Sequence, residues 1–304
     1  MMKRVLVTGA GGFIGRHTLP MLARLGFEIH AVTSRTPPPA LPADHWHALD
    51  LLDAGGVERL VREVRPTHLL HLAWDVRPRL FWESLDNLRW VQAGLGLLRV
   101  FQTSGGRRVV AAGTCAEYDW RYERCSEEST PKAPGTLYGT SKHALQLLQA
   151  AACARTGVSG AWGRIFFPYG PHEHPDRLIP SVVRALLAGH EALVSHGKQV
   201  RDLLYVQDVA DAFACLLDSD LQGPVNIGSG ASVTLREVVE RIAERLGRRD
   251  LVRFGAVEPA LHDPPVLLAE TRRLREELGY TPACSLDEGL DRTIAWWRSQ
   301  MAGA

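Results

Sequence analysis

Tyr138 and Lys142 have the side-chain types and the spacing for proton transfer. At a separation of four they share one face of a helix. A phenol ionises near pH 10, too high for ready proton exchange at neutral pH. An ammonium group beside it favours the phenolate and brings the group toward its working range. Thr114 follows the strand pattern Arg108–Ala112, and its hydroxyl can hydrogen-bond a reacting oxygen. A packed tyrosine with a solvated lysine is the bland alternative on any helix. Position after a fifth strand favours the chemical reading.

Those residues need a scaffold, and the start of the chain supplies its plan. Val5-Leu-Val-Thr8 runs into Gly9-Ala-Gly-Gly12-Phe13-Ile14-Gly15, with a helical pattern directly after. Free N–H groups and the positive end of the helix dipole then converge on one spot suited to phosphate. Gly9 allows the tight turn, Gly12 lets the backbone approach a pyrophosphate, and Gly15 lets helix and strand pack closely. Leu19, Leu22 and Leu25 line the helix, and Gly26 caps it. Further strands are expected at Glu28–Thr33, His47–Leu51, Thr67–Trp74 and Arg108–Ala112, with helices between. The expected fold is α/β: a doubly wound parallel (Rossmann) sheet with a smaller C-terminal α/β substrate cap. Residues 1–165 with 200–228 form the dinucleotide-binding part, and 166–199 with 229–304 the cap. Asp208 is expected to N-cap the helix Val209–Leu217, and Leu235–Leu246 and Leu286–Trp297 read as amphipathic helices.

The end of the second strand bears on the cofactor. NAD sites place a carboxylate there for the ribose hydroxyls. Here the chain reads Thr33-Ser34-Arg35, with no acid. Ser34 and Arg35 suit a 2′-phosphate, so NADP(H) is favoured over NAD(H).

Composition narrows the partners. The 304 residues carry a net charge of +1, which supplies no field for nucleic acid or a membrane. No apolar run reaches bilayer length, and Val5–Val7 breaks into glycines too early for a signal peptide. The five cysteines are scattered and no histidine pair has zinc spacing. A reduced, cytoplasmic protein without a metal is the expectation.

Over nearly its whole length the sequence resembles the extended short-chain dehydrogenase/reductases, in the nucleotide-sugar epimerase/dehydratase/ketoreductase branch. The matching marks are Thr8-Gly9-x-Gly11-Gly12-Phe13-Ile14-Gly15, Asp50-Leu51, His71-Leu72-Ala73, Thr114 with Tyr118, Tyr138-x-x-x-Lys142, Arg164 with Tyr169-Gly170-Pro171, Arg201-Asp202, Asp208 and Asn226-Ile227-Gly228. The resemblance implies that Tyr138 is the acid/base, that Lys142 lowers its pKa and holds the nicotinamide ribose, and that Thr114 positions the sugar oxygen. It implies Asp50 and Leu51 at the adenine, Leu72, Ala73, Trp74 and Phe166 along the cofactor, and Arg201 at the substrate's diphosphate. It also implies a homodimer through the helices Asn87–Thr103 and Tyr138–Thr156.

Departures from the pattern sharpen the expectation. The acidic pair that dehydratases place after the catalytic Thr is Cys115-Ala116 here, leaving Glu117 as the candidate sugar contact. Phe167 stands where an Asn is usual. An expected late Arg is missing near His262, so one pyrophosphate contact is lost or is supplied by another residue such as His262 or Arg177. The resulting expectation is NADPH-dependent reduction of a nucleotide-linked 4-keto-6-deoxyhexose. An NAD-dependent nucleotide-sugar epimerase is the first alternative, and a non-catalytic NAD(P)-sensing protein the second.

Overall fold

Strands that are apolar at consecutive positions must be covered on both faces. The first strand is such a case, with Val5, Leu6 and Val7 all at most 1% exposed. In the computed structural model, which describes residues 3–38, 40–259 and 263–303, this strand is β1 (Lys3–Thr8) and leads to α1 (Gly15–Arg24). Next come β2 (Phe27–Thr33), β3 (His45–Ala48), α2 (Ala54–Val64), β4 (His68–His71), α3 (Asp86–Thr103), β5 (Arg108–Thr114) and β6 (Arg124–Cys125). They are followed by α4 (Leu137–Thr156), β7 (Ser159–Ile165), β8 (Phe167–Tyr169), α5 (Leu178–Leu187), β9 (Ala192–Val194), β10 (Val200–Arg201), β11 (Leu203–Tyr205) and α6 (Val206–Leu217). The chain closes with β12 (Gly223–Ile227), β13 (Val233–Thr234), α7 (Leu235–Leu246), β14 (Val252–Phe254), β15 (Val266–Ala269) and α8 (Leu286–Ala302).

Seven strands make one sheet in the order β12-β7-β5-β4-β1-β2-β3. Every pair in it is parallel. The order reverses between β1 and β4, which is where ligands sit on such sheets, outside the carboxyl ends of the strands. On one face Leu19, Leu22, Phe213 and Leu216 pack α1 and α6 down. On the other, Val57, Val61, Leu97 and Phe101 do the same for α2 and α3. A second core gathers Tyr169, Ile179, Val183, Ile242 and Leu290 between α5, α7 and α8. Short strands complete that region in the order β13-β10-β15-β6. Leu274, Leu278 and Tyr280, from the stretch expected in the cap, pack against the sheet core instead. No helix among the described residues is long and apolar enough to cross a membrane.

Two local expectations are corrected. The third strand runs His45–Ala48, so it ends before Asp50, whose carboxylate accepts from the Leu52 amide in the turn that follows. Asp208 does not cap α6, which begins at Val206. It is buried, and it accepts hydrogen bonds from the Ala283 and Cys284 amides and the Tyr280 hydroxyl. A carboxylate at position three of a helix gives no local hint that its donors lie more than seventy residues away.

Candidate functional site

The glycine turn has the geometry that its sequence implies. Gly9 takes a φ of +69°, and a Cβ there would stand 2.9 Å from the Ala73 backbone. A Cβ on Gly15 would fall 2.1 Å from the Gly9 carbonyl oxygen. Both positions are therefore closed to side chains. Gly12 differs: it is exposed, and its added Cβ would meet only the Gly9 carbonyl group. Its outer side is free for a pyrophosphate at the start of α1, so the residues present fit a dinucleotide. Phe13 and Ile14 are half-buried, with Ile14 leading into α1. Leu72 and Ala73 follow β4, and their amides reach the Thr8 carbonyl at 3.3 Å and the Thr8 hydroxyl at 3.4 Å. Leu51 is buried beside Val57 and Val61, while Asp50 is exposed. Ser34 and Arg35 are exposed at the end of β2.

The start of α4 brings the acid/base candidates together. Thr136 caps the helix by accepting from the Gly139 amide at 3.1 Å. A Cβ on Gly139 would sit 2.2 Å from the Ala116 carbonyl oxygen. Glycine there lets the helix lie against the turn that holds Thr114. Tyr138 is 7% exposed, and its amide donates to the Trp82 carbonyl at 2.9 Å. Its ring meets Phe81, Trp82 and Trp74 edge-on, at centroid separations of 4.8, 5.8 and 6.3 Å. The Trp74 indole is fixed by donating to Asn87 at 2.9 Å. Lys142 is 3% exposed, donates to the Ala112 carbonyl at 2.9 Å and lies 3.8 Å from the Trp74 ring centre.

These surroundings correct the expected electrostatics. Burial pushes the Tyr138 phenol above its usual pKa, opposed by a hydrogen bond with Thr114 and the charge of Arg177. Burial draws Lys142 itself down to about 7, against the pull of Glu117. Burial penalises the charged form of each group.

Glu117 is also reassigned. It is fully buried and accepts from the Thr114 amide at 2.9 Å, the Trp162 indole at 2.8 Å and Arg164 Nε at 2.8 Å. Full burial and these three inward bonds keep it from a sugar bound at the surface of the cleft. Arg201 is likewise enclosed: it pairs with Asp263 at 2.6 Å and lies 5.2 Å from the Phe167 ring centre. Phe166 is buried with Tyr118 and Leu267, and Phe167 is half-buried. Arg177 is half-buried over Phe81 at 5.6 Å, which puts it beside the Tyr138 enclosure. His262 lies outside the described residues.

Sequence reasoning missed Phe81, Trp82 and Glu173. The two aromatics had one signal, their place in the loop after β4, at the ligand end of the sheet. Glu173 had none, since a glutamate after Gly170-Pro171 reads as solvated. It is nevertheless buried, and burial raises its carboxyl to about 8, opposed by Arg177.

Comparison with known proteins adds kinship to this geometry. Residues 5–228 match the family model described as the NAD dependent epimerase/dehydratase family. The UDP-glucuronic acid decarboxylase 1 of Xenopus tropicalis is 26% identical over 98% of this chain and 73% of its own. The dTDP-4-dehydro-6-deoxyglucose reductase of Escherichia coli is 23% identical over 95% of this chain and 96% of its own. The solved UDP-glucose 4-epimerase of Thermus thermophilus, a complex with NAD, superposes with a TM-score of 0.86 at 29% identity. That match covers 97% of this chain and 99% of the other.

Glu117→Gln leaves the Arg164 guanidinium buried without a carboxylate. Removing one partner of a buried pair costs about 3–5 kcal/mol. Urea unfolding is expected to show that loss. Unchanged stability with a raised KM for sugar would instead restore Glu117 as a substrate contact.

Proposed function

Since this chain belongs to the NAD-dependent epimerase/dehydratase family, we propose that it uses NADPH to reduce the 4-keto group of a nucleotide-linked 4-keto-6-deoxyhexose. The carrying observation is the set of residues after Thr114. Cys115 is buried with its thiol pKa pushed up by that burial, Ala116 has no acid, and Glu117 is consumed by Arg164 and Trp162. No carboxylate there is free to assist elimination of water, so reduction is the favoured chemistry. Ser34 and Arg35, exposed where NAD enzymes carry an acid, support NADPH.

A bound nicotinamide would supply the reducing equivalent to the carbonyl carbon. The Gly9–Gly15 turn and the start of α1 would hold the pyrophosphate, with Ala73 alongside. Tyr138, neutral at working pH, donates its phenolic proton to the carbonyl oxygen as negative charge grows there. Thr114 donates a hydrogen bond to the same oxygen. Lys142 holds the ribose and stabilises the phenolate left behind. Trp74, Phe81 and Trp82 keep water from that oxygen. Arg177 is the better-placed contact for the substrate's diphosphate, because Arg201 must first leave Asp263. Residues 166–199 and 229–304 supply the cap over this cleft, apart from Leu274, Leu278 and Tyr280, which pack on the sheet core.

The NAD in the Thermus thermophilus complex favours a second reading, an NAD-dependent nucleotide-sugar epimerase. A homodimer accompanies either one. Leu88 on α3 and Leu147 and Leu148 on α4 are 48–55% exposed, an apolar surface that fits a helical seam.

Tyr138→Phe should lower kcat by about 10²–10⁴-fold, the usual worth of a positioned proton donor; undiminished turnover removes Tyr138 from the reaction. Arg35→Ala should weaken NADPH by about 10–100-fold, as expected for a charged hydrogen bond to phosphate, and leave NADH within about twofold. Equal losses for both cofactors, or stoichiometric NAD carried through purification, would move the epimerase to first place. Light scattering should give the mass of two chains, falling to one in Leu88→Glu/Leu147→Glu; a monomeric parent chain would end the dimer proposal.

A further inference from the structure

Four histidine and glutamate side chains gather on β2 and β3, at the edge of the large sheet. β2 and β3 pair so that His30 stands opposite His45. Alternation along each strand puts Glu28 and His30 on one face of β2, and His45 and His47 on one face of β3. We propose that Glu28, His30 and His45 bind a divalent transition-metal ion of borderline softness, with Zn2+ the best match.

One donor atom from each of the three lies within 4.8 Å of the other two. Glu28 Oε1 is 3.0 Å from His30 Nε2 and 4.0 Å from His45 Nε2. Ligands held tetrahedrally at about 2.0–2.1 Å from zinc are about 3.4 Å apart, so small side-chain rotations seat the ion. The surroundings already orient two of the ligands. Arg4 Nε donates to Glu28 Oε2 at 3.0 Å, while Oε1 accepts from His30 Nε2 at 3.0 Å, so the ion would take the place of the proton between them. His30 Nδ1 is 3.0 Å from His47 Nε2. On metal binding the His30 proton moves from Nε2, where it now faces Glu28, to Nδ1, where it donates to His47 Nε2 and holds the ligating ring in place. Two imidazoles and one carboxylate suit Zn2+, Co2+ or Ni2+, whereas Mg2+ and Ca2+ take mainly oxygen. His45 is exposed, so water can complete the coordination. The spacing Glu-x-His followed at a distance by His-x-His hid the site in the sequence, because only the β2–β3 register closes it. A bound ion would fasten the edge strand to β2, three residues before the Thr33 end of that strand.

The test uses tag-free protein stripped with a chelator and titrated with Co2+, reading the visible absorption bands. One Co2+ per chain is expected, displaced by Zn2+, with a Tm raised by either ion. His45→Asn should abolish the bands and the Tm shift, and His190→Asn, at an exposed histidine elsewhere, should leave both intact. His47→Asn should weaken binding by about 10–100-fold through loss of the orienting hydrogen bond. If His30→Asn does not fold, the exposed His45 variant still decides. Absence of bands at one equivalent, or bands that survive His45→Asn, would overturn the proposal.

Discussion

The ion pair between Glu117 and Arg164 is the constraint on which the rest of the site depends. Both groups are at most 1% exposed. Charges so enclosed persist only when each is paired and hydrogen-bonded, which fixes their positions closely. Glu117 thereby ties the end of β5 to β7 through the Thr114 amide, the Trp162 indole and Arg164. Arg164 passes the linkage to the Tyr118 hydroxyl at 3.2 Å, which donates to Asn226 on β12 at 2.7 Å. The Asn226 amide group then donates to the carbonyls of Cys125 and Glu270. One buried network thus joins three sheet strands to the ends of β6 and β15. Thr114 stands where it does because of that network, and Gly139 allows Tyr138 to approach it.

The aromatic enclosure acts on a different term. Trp74, Phe81 and Trp82 exclude water from Tyr138 and Lys142, and exclusion penalises charge on both. Burial draws the Lys142 ammonium down toward neutrality and holds the Tyr138 phenol neutral. Protons can then be held or released by small changes in surroundings, such as the arrival of a polar substrate.

What was legible in the sequence was what short spacing controls. Gly12 and Gly15 meet the Gly9 carbonyl a few residues away and Gly9 takes a positive φ, so the tight turn followed from position alone, whereas the approach of Gly9 to the Ala73 backbone did not. Tyr138 and Lys142 share a face because helices repeat. The parallel sheet followed from the alternation of strands and helices. Glu117 was misread because its partners Trp162 and Arg164 lie more than forty residues away, and nothing adjacent shows that its side chain points inward. Asp208 was misread for the same reason. The reading of Tyr138 considered the ammonium of Lys142 and not burial against the rings of Phe81 and Trp82, which a distant loop delivers.

The sheet order also bears on how the chain is made. β12 is the seventh strand of the sheet, yet it is encoded at Gly223–Ile227, after α5, the short strands and α6. It pairs with β7, whose residues end at Ile165. A nascent chain therefore carries β7 as an open edge through some sixty residues of further synthesis, with its N–H and C=O groups unpaired on one side. Long-range parallel pairing of this kind is slow and exposes the chain to association in the interval. Completion of the cofactor-binding sheet must wait until much of the chain that covers it has left the ribosome.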